Sequence, residues 1–180
     1  MKKYKVIYAD PPWSFRNWSK KAKKNVNEHY DVMSIKDIQS LPVSNICSDD
    51  CVLLLWVTFP LLPQGLETMK SWGFEYKTNA FTWVKMNKKS VDTLFWGCGY
   101  YTRSNSEICL LGTRGKVLER VSHSVHSVIQ SPVQEHSRKP TEARDRIVEL
   151  FGNVPRVELF SRQEVEGWDC FGNGIDGCLC

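Results

Sequence analysis

Residues 6–15 read VIYADPPWSF, and the break in the middle of this stretch decides what kind of sheet the chain builds. Val6, Ile7 and Tyr8 are β-branched or aromatic and predict a short buried strand. Asp10 ends it, and Pro11 and Pro12, which have no backbone N–H, cannot extend a ladder. Each proline also restricts the residue before it, so Asp10 to Trp13 is expected to form a stiff, extended corner. A carboxylate, carbonyl oxygens with no donor supplied locally and a flat indole are then fixed at the carboxyl end of a strand. That is the end at which open α/β sheets bind ligands.

Further strands and helices follow in alternation. A polar, lysine-rich stretch, RNWSKKAKKNVNEHYD, has no periodicity and reads as a long loop. Ser34 is placed to cap a short helix carrying Ile35, Ile38 and Leu41, stopped near Pro42. CVLLLWVT is an unbroken apolar run, as in a central strand covered on both faces. Pro60 opens a helix through Met69 to Trp72, which Gly73 closes. YKTNAFTWVK and EICLLGT are strands, VHSVIQ is an edge strand, and Thr141 to Leu150 is an amphipathic helix ended by Gly152. RVELFSR is the last clear strand, and WDCFGNGIDG reads as a Gly-rich tail. The alternation predicts an α/β fold with a mostly parallel sheet and helices on its faces. The 180 residues suit one domain, 1–180, with 14–33 and 86–106 as flexible loops around a substrate.

Composition excludes several classes. No apolar stretch precedes the prolines as a secretory signal would, and CVLLLWV is too short to span a bilayer. The seven cysteines include no CxxC pair, which argues against a disulfide framework or zinc ribbon, so no metal is expected. Reduced thiols and a cytoplasmic location follow as the expectation, with no membrane partner. A net charge of +4 permits a polyanionic partner without demanding one.

The corner has a definite chemistry. Asp10 and neighbouring carbonyls are acceptors, and an exocyclic amino group has two hydrogens that need two acceptors. Trp13 offers a face on which a planar heterocycle stacks. Together they suit a flat ring bearing –NH2, such as adenine or cytosine, whose nitrogen could attack a methyl donor placed in line. A packed tryptophan in an acidic loop fits the same four residues.

Longer blocks extend the match. YADPPW, HYDVMS, LLLWVT, FWGCGYYTRSNSEICLLGTRG, HSRKPTEARDRIVEL, RVELFSR and FGNGIDG together resemble, in order and over nearly the whole chain, the MT-A70-like family of S-adenosylmethionine-dependent adenine-N6 methyltransferases. The resemblance implies a Rossmann-like class I methyltransferase fold in permuted order, with the catalytic turn before the cofactor strand. It implies Asp10, Pro11, Pro12 and Trp13 as catalytic residues. It places Asp10, Lys139, Phe160, Arg162, Gly172 and Asn173 around S-adenosyl-L-methionine, and Tyr30, Trp56, Arg103 and Glu107 around the target base. Each has a plainer reading too: Trp56 sits in an apolar strand, Tyr30 could anchor a loop, and Lys139 could be an ordinary helix-start residue.

Lys20, Lys21, Lys23 and Lys24, with Lys88, Lys89 and Arg103, flank the corner and are candidate phosphate contacts. The target adenine would be flipped out or already single-stranded. Short relatives of this type are typical of bacteria and their viruses, which favours DNA over RNA and makes a homodimer or partner subunit plausible. A non-catalytic subunit and a simple nucleic-acid-binding module compete; the intact Asp10 argues against the first and the cofactor blocks against the second.

Overall fold

The computed structural model describes residues 2–14, 33–90, 92–134 and 138–172. Lys20, Lys21, Lys23, Lys24, Tyr30 and Asn173 lie outside the described residues. Seven strands are found among the described residues: β1 (Tyr4–Ala9), β2 (Cys47–Val57), β3 (Glu75–Met86), β4 (Ser106–Arg114), β5 (Val128–Pro132), β6 (Arg156–Leu159) and β7 (Asp169–Phe171). They form one sheet in the order β5-β3-β4-β2-β1-β6-β7. All pairings are parallel except those of β4, which runs antiparallel to both β2 and β3. This is the mostly parallel α/β sheet that the alternation of strands and helices predicts, with the proline corner on its first strand.

Three α-helices cover it among the described residues: α1 (Ile35–Ser40), α2 (Leu62–Ser71) and α3 (Glu142–Phe151). Alternation along the strands fixes which side each helix takes. Ile7, Ala9, Leu53, Leu55 and Val57 face a core that includes Ile38 of α1 and Met69 of α2. Val6, Tyr8, Val52, Leu54 and Trp56 face the opposite core, built with Ala143, Ile147 and Phe151 of α3. Central β1 and β2 thus bury both faces, which is why their sequences read as unbroken apolar runs. The cap at Ser34 forms as the sequence indicates: its hydroxyl accepts from the Asp37 N–H at 3.1 Å.

One assignment changes. The segment read as a Gly-rich tail contains β7, paired in parallel with β6 through Val157–Asp169 to Leu159–Phe171. Three residues are too few to show a periodicity, so only the neighbouring strand defines this one. The arm between β3 and β4 is zipped to the sheet at its root, where the Phe95 N–H donates to the Lys85 carbonyl and the Lys85 N–H to Asn105, both at 2.8 Å.

The site follows from this topology. Six strands point the same way, so Asp10, Thr58, Phe160 and Gly172 all follow strand ends at one edge of the sheet. Because β4 runs the other way, its first residues, Ser106 and Glu107, open at that edge as well.

Candidate active site

Asp10 leaves β1 with its N–H directed at the Leu159 carbonyl of β6, 3.5 Å away. The two prolines then turn the chain so tightly that it uses its own carbonyls. Pro11 accepts from the Trp13 N–H at 2.8 Å, and Pro12 accepts from the Met33 N–H at 3.2 Å. The expectation of carbonyls without local donors is therefore corrected, although each carbonyl oxygen keeps a second lone pair. The Trp13 indole N–H donates to the Trp56 carbonyl at 2.9 Å, fastening the corner to the central strand.

Lys139, more than a hundred residues away in sequence, reaches this corner. Its ammonium donates to Asp10 Oδ1 at 2.7 Å and Oδ2 at 2.8 Å. It also lies 3.3 Å from Glu107 Oε2, and the other Glu107 oxygen takes the Lys85 ammonium. Four side chains therefore form a line of alternating charge, Asp10, Lys139, Glu107 and Lys85, all mostly shielded from solvent.

Burial lifts the Asp10 carboxyl above the ordinary carboxylate range, and the Lys139 ammonium pulls against that lift. For Glu107 the balance is reversed: burial would raise it, but the Lys139 and Lys85 ammoniums outweigh burial and hold it low. Burial would lower Lys139, yet Asp10 and then Glu107 hold it above its ordinary value, so it stays protonated.

Trp56 does not line an open surface. It is fully buried, with its indole N–H on the Tyr8 hydroxyl at 2.7 Å, because its register on β2 points it into the α3-side core. It serves the corner through its carbonyl and by lying under the Lys139 ammonium, 5.7 Å from the ring centroid. Arg103 lies on the exposed arm, its guanidinium 4.8 Å from the Trp96 ring. Phe160 follows β6 with a left-handed backbone, φ 63°, which a non-glycine residue adopts only at a cost. Arg162, just beyond, contributes a positive charge that Asp10 feels. At Gly172 a Cβ would come within 2.0 Å of the Ser161 carbonyl oxygen, so the chain after β7 can pass this close only as glycine.

Sequence reading missed Lys85 and Tyr8. Lys85 left one signal, a charge closing the apolar run FTWV; Tyr8, inside a buried strand, left none. Two open cavities of about 590 and 540 Å³ lie away from the corner, one beside α3 at Arg144 and Trp168, the other at Leu118 and Phe151. No group of three or more potential metal ligands occurs among the described residues. None of the described helices is long and apolar enough to cross a membrane.

An open sheet with a proline-braced acceptor at the carboxyl edge of its strands defines a class of ligand-binding α/β domains. Comparison with known proteins narrows it. The chain belongs to the MT-A70 family of adenine-N6 methyltransferases, whose model matches residues 4–174. It is 36% identical over 188 residues to Type II methyltransferase M.MunI of Mycoplasma sp, covering 95% of this chain and 77% of that protein. It is 28% identical to N(6)-adenosine-methyltransferase catalytic subunit METTL3 of Homo sapiens, covering 97% of this chain and 29% of that protein. Against N(6)-adenine-specific methyltransferase METTL4 of Homo sapiens it is 25% identical, covering 97% of this chain and 38% of that protein. The chain thus spans well under half the length of the two human relatives.

Proposed function

We propose that this chain transfers a methyl group from S-adenosylmethionine to N6 of adenine in nucleic acid, with DNA the favoured substrate. The observation that carries the reading is the Asp10 carboxylate, braced by two prolines and already binding a protonated amine at 2.7 and 2.8 Å. An acceptor pair that holds –NH3+ at those distances has the spacing to hold –NH2.

The residues fit the methyl donor by their chemistry. That molecule has a carboxylate, an ammonium, a sulfonium, a ribose and an adenine. Lys139 and Arg162 supply cations, Asp10 an anion and Phe160 a ring. The Thr58 hydroxyl, buried at the end of β2, has no partner among the described residues. When bound, the donor supplies an electrophilic methyl carbon. Asp10, with the free lone pair of the Pro11 carbonyl, would orient the adenine amino group so that its nitrogen lone pair faces that carbon. Trp13 would stack on the ring, and its tether to Trp56 stops the platform drifting. Lys139 must release one Asp10 oxygen as the amino group arrives, and Glu107, 3.3 Å away, is a ready second partner for it. Placement and matched charge carry the rate. The proton lost after transfer passes to Asp10 or to water.

Likeness to a Type II methyltransferase over most of that protein's length supports DNA as the first reading. Likeness to an adenosine methyltransferase favours RNA as the second reading. The chain is incubated with labelled methyl donor and matched DNA and RNA, and the products are digested to nucleosides. Label in N6-methyl-2′-deoxyadenosine from the DNA is expected; label in N6-methyladenosine from the RNA alone selects the second reading, and label in any other nucleoside, or none, defeats both. Asp10→Ala should lose activity by on the order of a hundredfold or more, and a variant with full activity would remove the role given to Asp10.

A further inference from the structure

The arm between β3 and β4 has a feature that the corner chemistry does not use. Tyr100 and Tyr101 are 89% and 94% exposed, and Trp96 is 72% exposed. Large aromatic rings this bare are costly in water unless something covers them. Their placement is built, not accidental. A Cβ on Gly97 would come within 1.8 Å of the Ser104 carbonyl oxygen, and one on Gly99 within 1.9 Å of that of Thr102. Only glycine allows the two sides of the arm to close so tightly, and the closure holds the tyrosine pair at the tip. The two rings meet edge to face at 4.9 Å, and Arg103 covers Trp96.

The arm also starts and ends at the site. It leaves directly after Lys85 and returns directly before Glu107, two of the four charged groups that line up on Asp10. Its other charges are Lys88, Lys89, Arg103 and Asp92, a surplus of positive charge. Bare rings beside cations, rooted at a base-modifying corner, match a strand whose bases offer flat faces and whose backbone is anionic.

We propose that this arm is a base-stacking finger: Tyr100 and Tyr101 at its tip, backed by Trp96 and Arg103, lie against unpaired bases next to the adenine delivered to Asp10. The inference rests on the nucleic-acid reading above and adds to it the residues that grip the neighbouring bases. An unpaired stretch is the ligand, because bases inside a duplex hide the faces that the rings need.

The test is fluorescence anisotropy with a labelled mixed-base single strand of about 20 nucleotides, as DNA and as RNA, over a series of salt concentrations. Tyr100→Ala with Tyr101→Ala should weaken binding at least tenfold, since each stack is worth about 1–3 kcal/mol, and should leave the salt slope unchanged. The double Tyr→Phe variant keeps both faces and should bind as the unaltered chain does. Lys88→Ala with Lys89→Ala should instead reduce the slope. Full affinity in the double Ala variant overturns the finger and leaves the methyltransferase reading standing. So does a fall in molecular mass of that variant by sedimentation, which would make the arm a protein contact. If the unaltered chain neither binds either strand nor methylates it, the functional reading falls with the finger.

Discussion

Glu107 shows how one carboxylate couples chemistry to stability. Two ammonium groups hold it below its ordinary value of 4.5, so near that pH the native chain binds fewer protons than the unfolded one. The stability it contributes is complete above about pH 4.5 and is lost as pH falls through the lower native value. Asp10, lifted by burial, has the opposite sign: its contribution is present below its ordinary value and lost as pH rises through the native one. Lys139 titrates above 10.5 and adds no slope in the acid range. Urea unfolding of Glu107→Gln between about pH 6 and pH 3 should therefore show a shallower acid limb than the unaltered chain, and an identical limb would remove Glu107 from the account. At this scale the sequence was partly legible. Asp10 stood out because prolines punctuate a strand, and Lys139 because its block resembled a family motif. Trp56 had two readings, a pocket residue by resemblance and a core ring by its apolar strand, because a register cannot be read from an unbroken apolar run. Its full burial agrees with the second. Lys85 was missed because a strand-end lysine looks like any solvated charge.

The elements show a sharper division. The β2–α2–β3 crossover leaves one slot open between two parallel strands, and the chain fills it from the far side with β4, which is why β4 alone runs backwards. Nothing in EICLLGT announces that direction, since a strand covered on both faces is apolar whichever way it runs. β7 was illegible for another reason, being defined by its neighbour and not by its own residues. α3 was legible from its amphipathic period, but not the contact that fixes it to the sheet. The Arg144 guanidinium grips Glu158 of β6 through two hydrogen bonds at 2.6 and 2.7 Å, and both side chains are largely buried. Breaking the pair leaves a buried charge alone, which costs about 3–5 kcal/mol. Chemical denaturation of Glu158→Ala should show a loss of that order, and replacement of both partners by apolar residues should recover much of it.

The whole molecule gathers chemistry from distant stretches onto one edge. That gathering was foreseeable, because alternating strands and helices make a sheet whose strand ends converge. The surrounding electrostatics were legible only as lysine counts. We predict that replacing Lys20, Lys21, Lys23 and Lys24 by alanine weakens nucleic-acid binding uniformly across sequences and flattens its dependence on salt. An unchanged slope in a salt titration would refute phosphate contact by these lysines.

The balanced line of two acids and two bases has a consequence for ionic strength. Its charges cancel in pairs at close range, out of reach of most counter-ions, so little net field leaks from it at any salt concentration. The proposed methyl donor, which carries one net positive charge, should therefore bind with little dependence on added salt, whereas the proposed nucleic-acid partner, held through exposed lysines, should be released as salt rises.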